Sequence, residues 1–155
     1  MKVEEEFLKQ AIELAFEARR NGDHPFGALL VIDDRVVLTA ENRNNSDRNP
    51  TSHAETNLVQ KAIIEFSETE LSKATLYTSC EPCAMCAGAI YWAGIRKIVY
   101  ALSSEELAKM AGETGLAACR EVFKRIGDEI EVAGPFMLEE AVKPHQDFWS
   151  QQPPR

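Results

Sequence analysis

The sequence predicts a three-layer α/β/α domain built on a five-stranded mixed sheet. Two observations predict it. Five apolar runs of strand length alternate with segments of helical periodicity, as in sheets covered by helices on both faces. The chain has 155 residues, the size of one domain that buries roughly two-thirds of its unfolded surface.

Residues 4–20 carry Phe7, Leu8, Ala11, Ile12, Leu14, Ala15 and Ala18 at helical spacing, with Arg19-Arg20 at the end and Asn21-Gly22-Asp23 as a stop. Residues 28–32 and 36–40 form two apolar runs, and Asp33-Asp34 between them predicts a hairpin. Residues 41–50 have loop composition. Thr51 or Ser52 is placed to cap a helix over 53–66, with Glu55 completing a capping box from Ser52 and Ala54, Leu58, Ala62 and Ile63 facing inward. A strand over 74–78 and a helix over 83–93 follow, and Gly94 is a natural helix stop. Beyond them the pattern predicts a strand at 95–101, a helix at 104–111, a loop at 112–115, a short helix at 116–126 and a strand at 129–133. A last helix from 138, interrupted near Pro144, and a frayed tail from 151 to 155 complete the chain.

Composition narrows the function classes. The apolar fraction of 45% and charged fraction of 27% are those of a soluble globular protein. No run approaches the ~20 apolar residues of a membrane span. The acidic start, Met1 to Glu6, is the opposite of a basic-then-apolar signal peptide, so a cytoplasmic protein with reduced cysteines is expected. A net charge of −8 without a Lys/Arg cluster disfavours polyanionic partners and leans toward a small neutral substrate.

Three of the four cysteines, Cys80, Cys83 and Cys86, crowd into seven residues, which reads as metal chemistry rather than a disulfide framework. Pro82 suits a first helical position, and Cys83 and Cys86, three apart, then share one side of a helix N-terminus. The helix dipole favours thiolate there. Such a pair is half of a tetrahedral zinc site. His53, at another helix start, supplies a third ligand. A catalytic zinc takes three protein ligands and leaves one position for water. Glu55, two residues from His53, is placed to accept that water's proton. Alone, a Cys-x-x-Cys pair is commonly structural zinc or a redox pair; a redox pair would leave His53 and Glu55 without a purpose. A zinc-stabilised interaction module without catalysis would be expected to lack the carboxylate, and Glu55 is present.

His-x-Glu followed by Pro-Cys-x-x-Cys is the signature of zinc nucleobase deaminases. On Pro25-Phe26-Gly27-Ala28, Asn42, Pro50 to Glu55, Tyr77 to Cys86 and Gly88 to Trp92, the chain resembles the zinc-dependent cytidine deaminase-like superfamily. Within it the chain is most similar to the branch of bacterial guanine deaminases and tRNA adenosine deaminases. The resemblance implies one zinc per chain on His53, Cys83 and Cys86, Glu55 as the proton shuttle, and substrate contacts from Phe26, Asn42, the Ala54 backbone, Trp92 and Glu140. It places Ser79 and Cys80 on a loop beside the leaving amine. It also implies hydrolytic deamination of a free base or nucleoside, with guanine or a related 2-amino base such as isocytosine favoured. A tRNA adenosine deaminase is the alternative, and a cytosine or cytidine deaminase a further one. Residues 139–155, with His145, Phe148 and Trp149, are expected to cover the pocket or to be exchanged between subunits. Exposed Phe148 and Trp149 would favour a homodimer.

Overall fold

The computed structural model describes residues 1–113, 116–127 and 129–153. The expected loop at 112–115 and tail at 151–155 therefore lie partly outside the described residues. The elements are α1 (Glu5–Arg20), β1 (Gly27–Ile32), β2 (Arg35–Glu41), α2 (Ala54–Glu65), α3 (Glu68–Lys73), β3 (Thr75–Cys80), α4 (Ala84–Trp92), β4 (Lys97–Leu102), α5 (Ser104–Ala111), α6 (Cys119–Ile126), β5 (Glu131–Ala133) and α7 (Leu138–Ala141). The 3-10 turns Lys143–His145 and Trp149–Gln151 follow.

The sheet has five strands in the order β2-β1-β3-β4-β5. β1 pairs antiparallel with β2 and β3, whereas β3, β4 and β5 run parallel. Asp33 and Asp34 turn the β1–β2 hairpin with φ of 50° and 57°, the left-handed pair that matches strand twist.

Both faces of the sheet are covered, which explains the near-continuous apolar runs of β1, β3 and β4. Ala28, Leu30, Leu76, Ile98 and Tyr100 pack under Leu58, Ala62, Ile90 and Phe123 from α2, α4 and α6. Their alternates, Leu29, Val31, Tyr77, Val99 and Ala101, pack under Leu8, Ala11 and Ile12 of α1 and Ala141 of α7. β1 approaches α1 so closely that a Cβ on Gly27 would sit 2.5 Å from the Ala11 carbonyl oxygen.

Several expectations are corrected. α3 was not expected, although Ser67 caps it and Glu70 completes its capping box. α2 begins one residue later than expected, with His53 as N-cap and Thr56 Oγ1 accepting the His53 N–H. Ser52 instead donates to Asp47 or Asn57. Ile63 is 56% exposed rather than inward. α4 likewise begins after Cys83, which is its N-cap, so Pro82 precedes the helix. Ser79 and Cys80 are the buried end of β3, not a loop. α6 is confined to eight residues, and the final helix stops after four.

Candidate active site

The site lies at the carboxyl end of β3, the usual place for a ligand site in an open α/β sheet. β3 delivers Thr78 and Cys80 and leads through Glu81-Pro82 into α4. There the N-cap Cys83 and third helical residue Cys86 bring their sulfurs together. On the neighbouring helix, α2 starts with His53 as N-cap and Glu55 in its first turn.

His53 Nδ1 lies 3.6 Å from Cys83 Sγ and 3.5 Å from Cys86 Sγ. The three ligand atoms all fall within 4.8 Å of one another. Zn–N bonds of about 2.0–2.1 Å and Zn–S bonds of about 2.3 Å give tetrahedral N···S edges of about 3.6 Å. The donor set and its spacing therefore fit zinc. Cys80 stands outside the cluster, and burial, then the Glu55 charge, pushes its thiol well up.

The Cys86 thiol donates to Cys83, and this bond, with help from His53, holds Cys83 down at about 4. The same bond and burial push Cys86 up. Thiolate is the form a metal requires.

Glu55 is buried, and burial raises its carboxyl against the opposing pull of the Thr78 hydroxyl. Thr78 Oγ1 is 2.6 Å from Glu55 Oε1 and 2.9 Å from the Cys80 carbonyl oxygen. Glu81, which the sequence reading did not single out, is also buried. Its two oxygens accept the Ser104 N–H and the Cys119 N–H, each at 2.8 Å, so one carboxylate ties the starts of α5 and α6 to the metal loop. Beside it, burial pushes the Cys119 thiol up to about 12.

A cavity of about 370 Å³ opens over this cluster. His53, Glu55, Cys83 and Glu81 line its floor, Phe26, His24 and Trp149 one wall, and Leu107, Ala111 and Leu116 another. Phe26 is thus among the lining residues. Trp92 is not: it is 84% exposed and borders a separate shallow groove with Tyr91 and Arg96. Its place at the last turn of α4 points it away from a site that gathers at the first. Glu140 is exposed on α7 and is not among the lining residues, because α7 docks behind the sheet on α1 and β4. Asn42 and Ala54 are buried and also not among them. Asn42 Oδ1 instead accepts the N–H groups of His24 and Asn44, shaping the rim.

The C-terminal aromatics fold back on their own chain. Phe148 is only 7% exposed, and Trp149 faces the cavity. This removes the expectation that both stand exposed and call for a second subunit.

Residues 1–102 match the family described as the cytidine and deoxycytidylate deaminase zinc-binding region. A probable cytosine deaminase of Schizosaccharomyces pombe is 42% identical over 149 residues, covering 92% of this chain and 90% of that one. The guanine deaminase of Bacillus subtilis is 41% identical over 106 residues, 68% of each chain. A solved structure from work on A-to-I editing by tRNA:A34 deaminases superposes with a TM-score of 0.75 at 26% identity, covering 91% of this chain and 99% of that one. The fold, the His53–Cys83–Cys86 cluster and these relatives agree: the chain belongs to the cytidine and deoxycytidylate deaminase zinc-binding family, the zinc-type nucleobase and nucleoside deaminases.

Proposed function

We propose that the chain hydrolyses the ring amine of a free nucleobase, replacing it with a carbonyl and releasing ammonia. Guanine or another 2-amino-oxo base such as isocytosine is the favoured substrate. The observation that carries this reading is the small cavity over His53, Cys83 and Cys86. It is walled by the chain's own Phe26 and Trp149, and no lysine or arginine occurs among its described lining residues. Such a chamber suits a flat neutral ring better than a phosphate-bearing strand, which needs cationic contacts.

His53, Cys83 and Cys86 would hold a zinc ion, which would supply Lewis acidity toward a water at neutral pH. The remaining work falls to the protein. Glu55 takes up one proton of the attacking water, favoured by a carboxyl that burial has raised, and hands it to the ring nitrogen. It then takes the proton of the hydroxyl now on the ring carbon and hands it to the amine, which leaves as ammonia as the carbonyl forms. Thr78 ties down Oε1 and so fixes the carboxyl over the cluster. Phe26 and Trp149 pack against the base and limit water. Asn42 acts through the rim it holds, and Ala54 through the start of α2.

A cytosine deaminase is the second reading, favoured by the Schizosaccharomyces pombe relative, whose similarity covers nearly the whole chain. A tRNA adenosine deaminase is disfavoured by the charge of −8. Ammonia release from guanine, isocytosine, cytosine, adenine, their nucleosides and tRNA separates them. Preference for guanine or isocytosine supports the reading, and turnover of tRNA alone would overturn it.

Two further parts of the same reading concern context. A homodimer finds support in the apolar Ile64 and Trp92, each 84% exposed, on the mutually packed α2 and α4; sedimentation velocity tests it. A cytoplasmic setting suits four free cysteines, and among the described residues no helix is long and apolar enough to cross a membrane.

A further inference from the structure

The pocket wall at Trp149 is held by two residues that the deamination chemistry does not use. Trp149 Nε1 donates to His145 Nδ1 at 3.1 Å. His145 is 2% exposed and lies edge-on to Phe26 at 5.4 Å. The indole is further boxed by His24 at 5.4 Å and Phe148 at 4.9 Å.

Arg19, in the last turn of α1, reaches the same segment from across the fold. Its Nη1 donates to the Pro144 carbonyl at 3.0 Å and the Gln146 carbonyl at 2.6 Å, those of the two residues on either side of His145. Its guanidinium also lies 5.6 Å over the Phe148 ring.

The segment has little rigidity of its own. A four-residue helix and two single 3-10 turns do not persist in isolation. Asp147, between the clasp and the indole, sits at φ 58°, a conformation that L residues rarely adopt. Side-chain ties must therefore set where Trp149 stands.

We propose that Arg19 and His145 are positioning residues for substrate affinity: Arg19 grips the backbone on both sides of His145, and His145 accepts the indole N–H, fixing Trp149 as the pocket wall. Its kinetic consequence rests on the reading of the cavity as the base site; its structural consequence does not.

The chain has two tryptophans, and Trp92 is 84% exposed, so Trp92→Phe leaves Trp149 as the only indole. In that background Arg19→Ala and His145→Phe shift the emission to longer wavelength and open the indole to acrylamide. KM for the base rises about ten-fold while kcat stays within about two-fold, the pattern of lost binding rather than lost chemistry. Arg19→Lys, which keeps a cationic donor for the two carbonyls, restores most of both. If Arg19→Ala fails to fold, His145→Phe, which fills the same space without an acceptor, carries the test. Unchanged emission and quenching in folded variants overturn the proposal, as does a fall in kcat at constant KM. An emission shift in a protein that deaminates no base supports the clasp while sinking the substrate reading.

Discussion

Thr78 and Glu55, 23 residues apart, meet through a 2.6 Å hydrogen bond inside the protein. The Thr78 hydroxyl has one proton and two acceptors, Glu55 Oε1 and the Cys80 carbonyl. Whichever it serves, the carboxyl is held at Oε1. Hydrogen bonds to charged groups are worth about 1.5–3 kcal/mol. Thr78→Val should therefore lower kcat by roughly 10- to 100-fold with little change in KM. Thr78→Ser, which keeps the hydroxyl, should recover most of it. Steady-state kinetics on the preferred base checks both.

Gly27 is required by packing rather than by turn geometry. A methyl at this position would collide with the Ala11 carbonyl of α1, and neither β1, paired on both sides, nor the helix can retreat without disturbing its neighbours. Gly27→Ala should cost about 1–3 kcal/mol, as overpacked cores do, read as a lower urea midpoint at unchanged slope.

His145 links the C-terminal segment to pH. Burial, and then the Arg19 charge, holds its imidazole at about 4, below the ordinary 6.5. The unfolded chain therefore binds a proton that the folded chain refuses between these values. Stability is full above about pH 6.5 and is lost as pH falls through 4, by at most about 3 kcal/mol. Chemical denaturation from pH 7 to pH 4 should show a steeper loss in the wild type than in His145→Phe. The comparison between the two removes the shared effect of acid on the metal ligands.

The parts of the site that were legible in the sequence are those set by local spacing. Cys83 and Cys86 share one helix start, and Glu55 stands two residues from His53, so their types and intervals survive translation into structure. Thr78 and Glu81 were not legible, because their partners stand on helices: Glu55 on α2 for Thr78, and the starts of α5 and α6, 23 and 38 residues away, for Glu81. Trp92 and Glu140, carried over by position, are not among the residues lining the cavity. The covered sheet was readable from apolar runs in β1, β3 and β4. α3 was missed although Ser67 and Glu70 carried its capping box at the expected interval. The short C-terminal turns had no periodicity to read, since their order comes from Arg19 and His145.

The central claim is that His53, Cys83 and Cys86 hold a zinc ion for chemistry in which Glu55 moves the protons. Its most direct test is zinc content and ammonia release measured together on wild type, Glu55→Gln and Cys86→Ser. The account predicts one zinc per chain in the wild type and in Glu55→Gln, with ammonia release down by about 10²–10⁴-fold in Glu55→Gln. It predicts loss of both zinc and activity in Cys86→Ser. Wild-type protein without zinc, or a Glu55→Gln variant that releases ammonia at the wild-type rate, would contradict it.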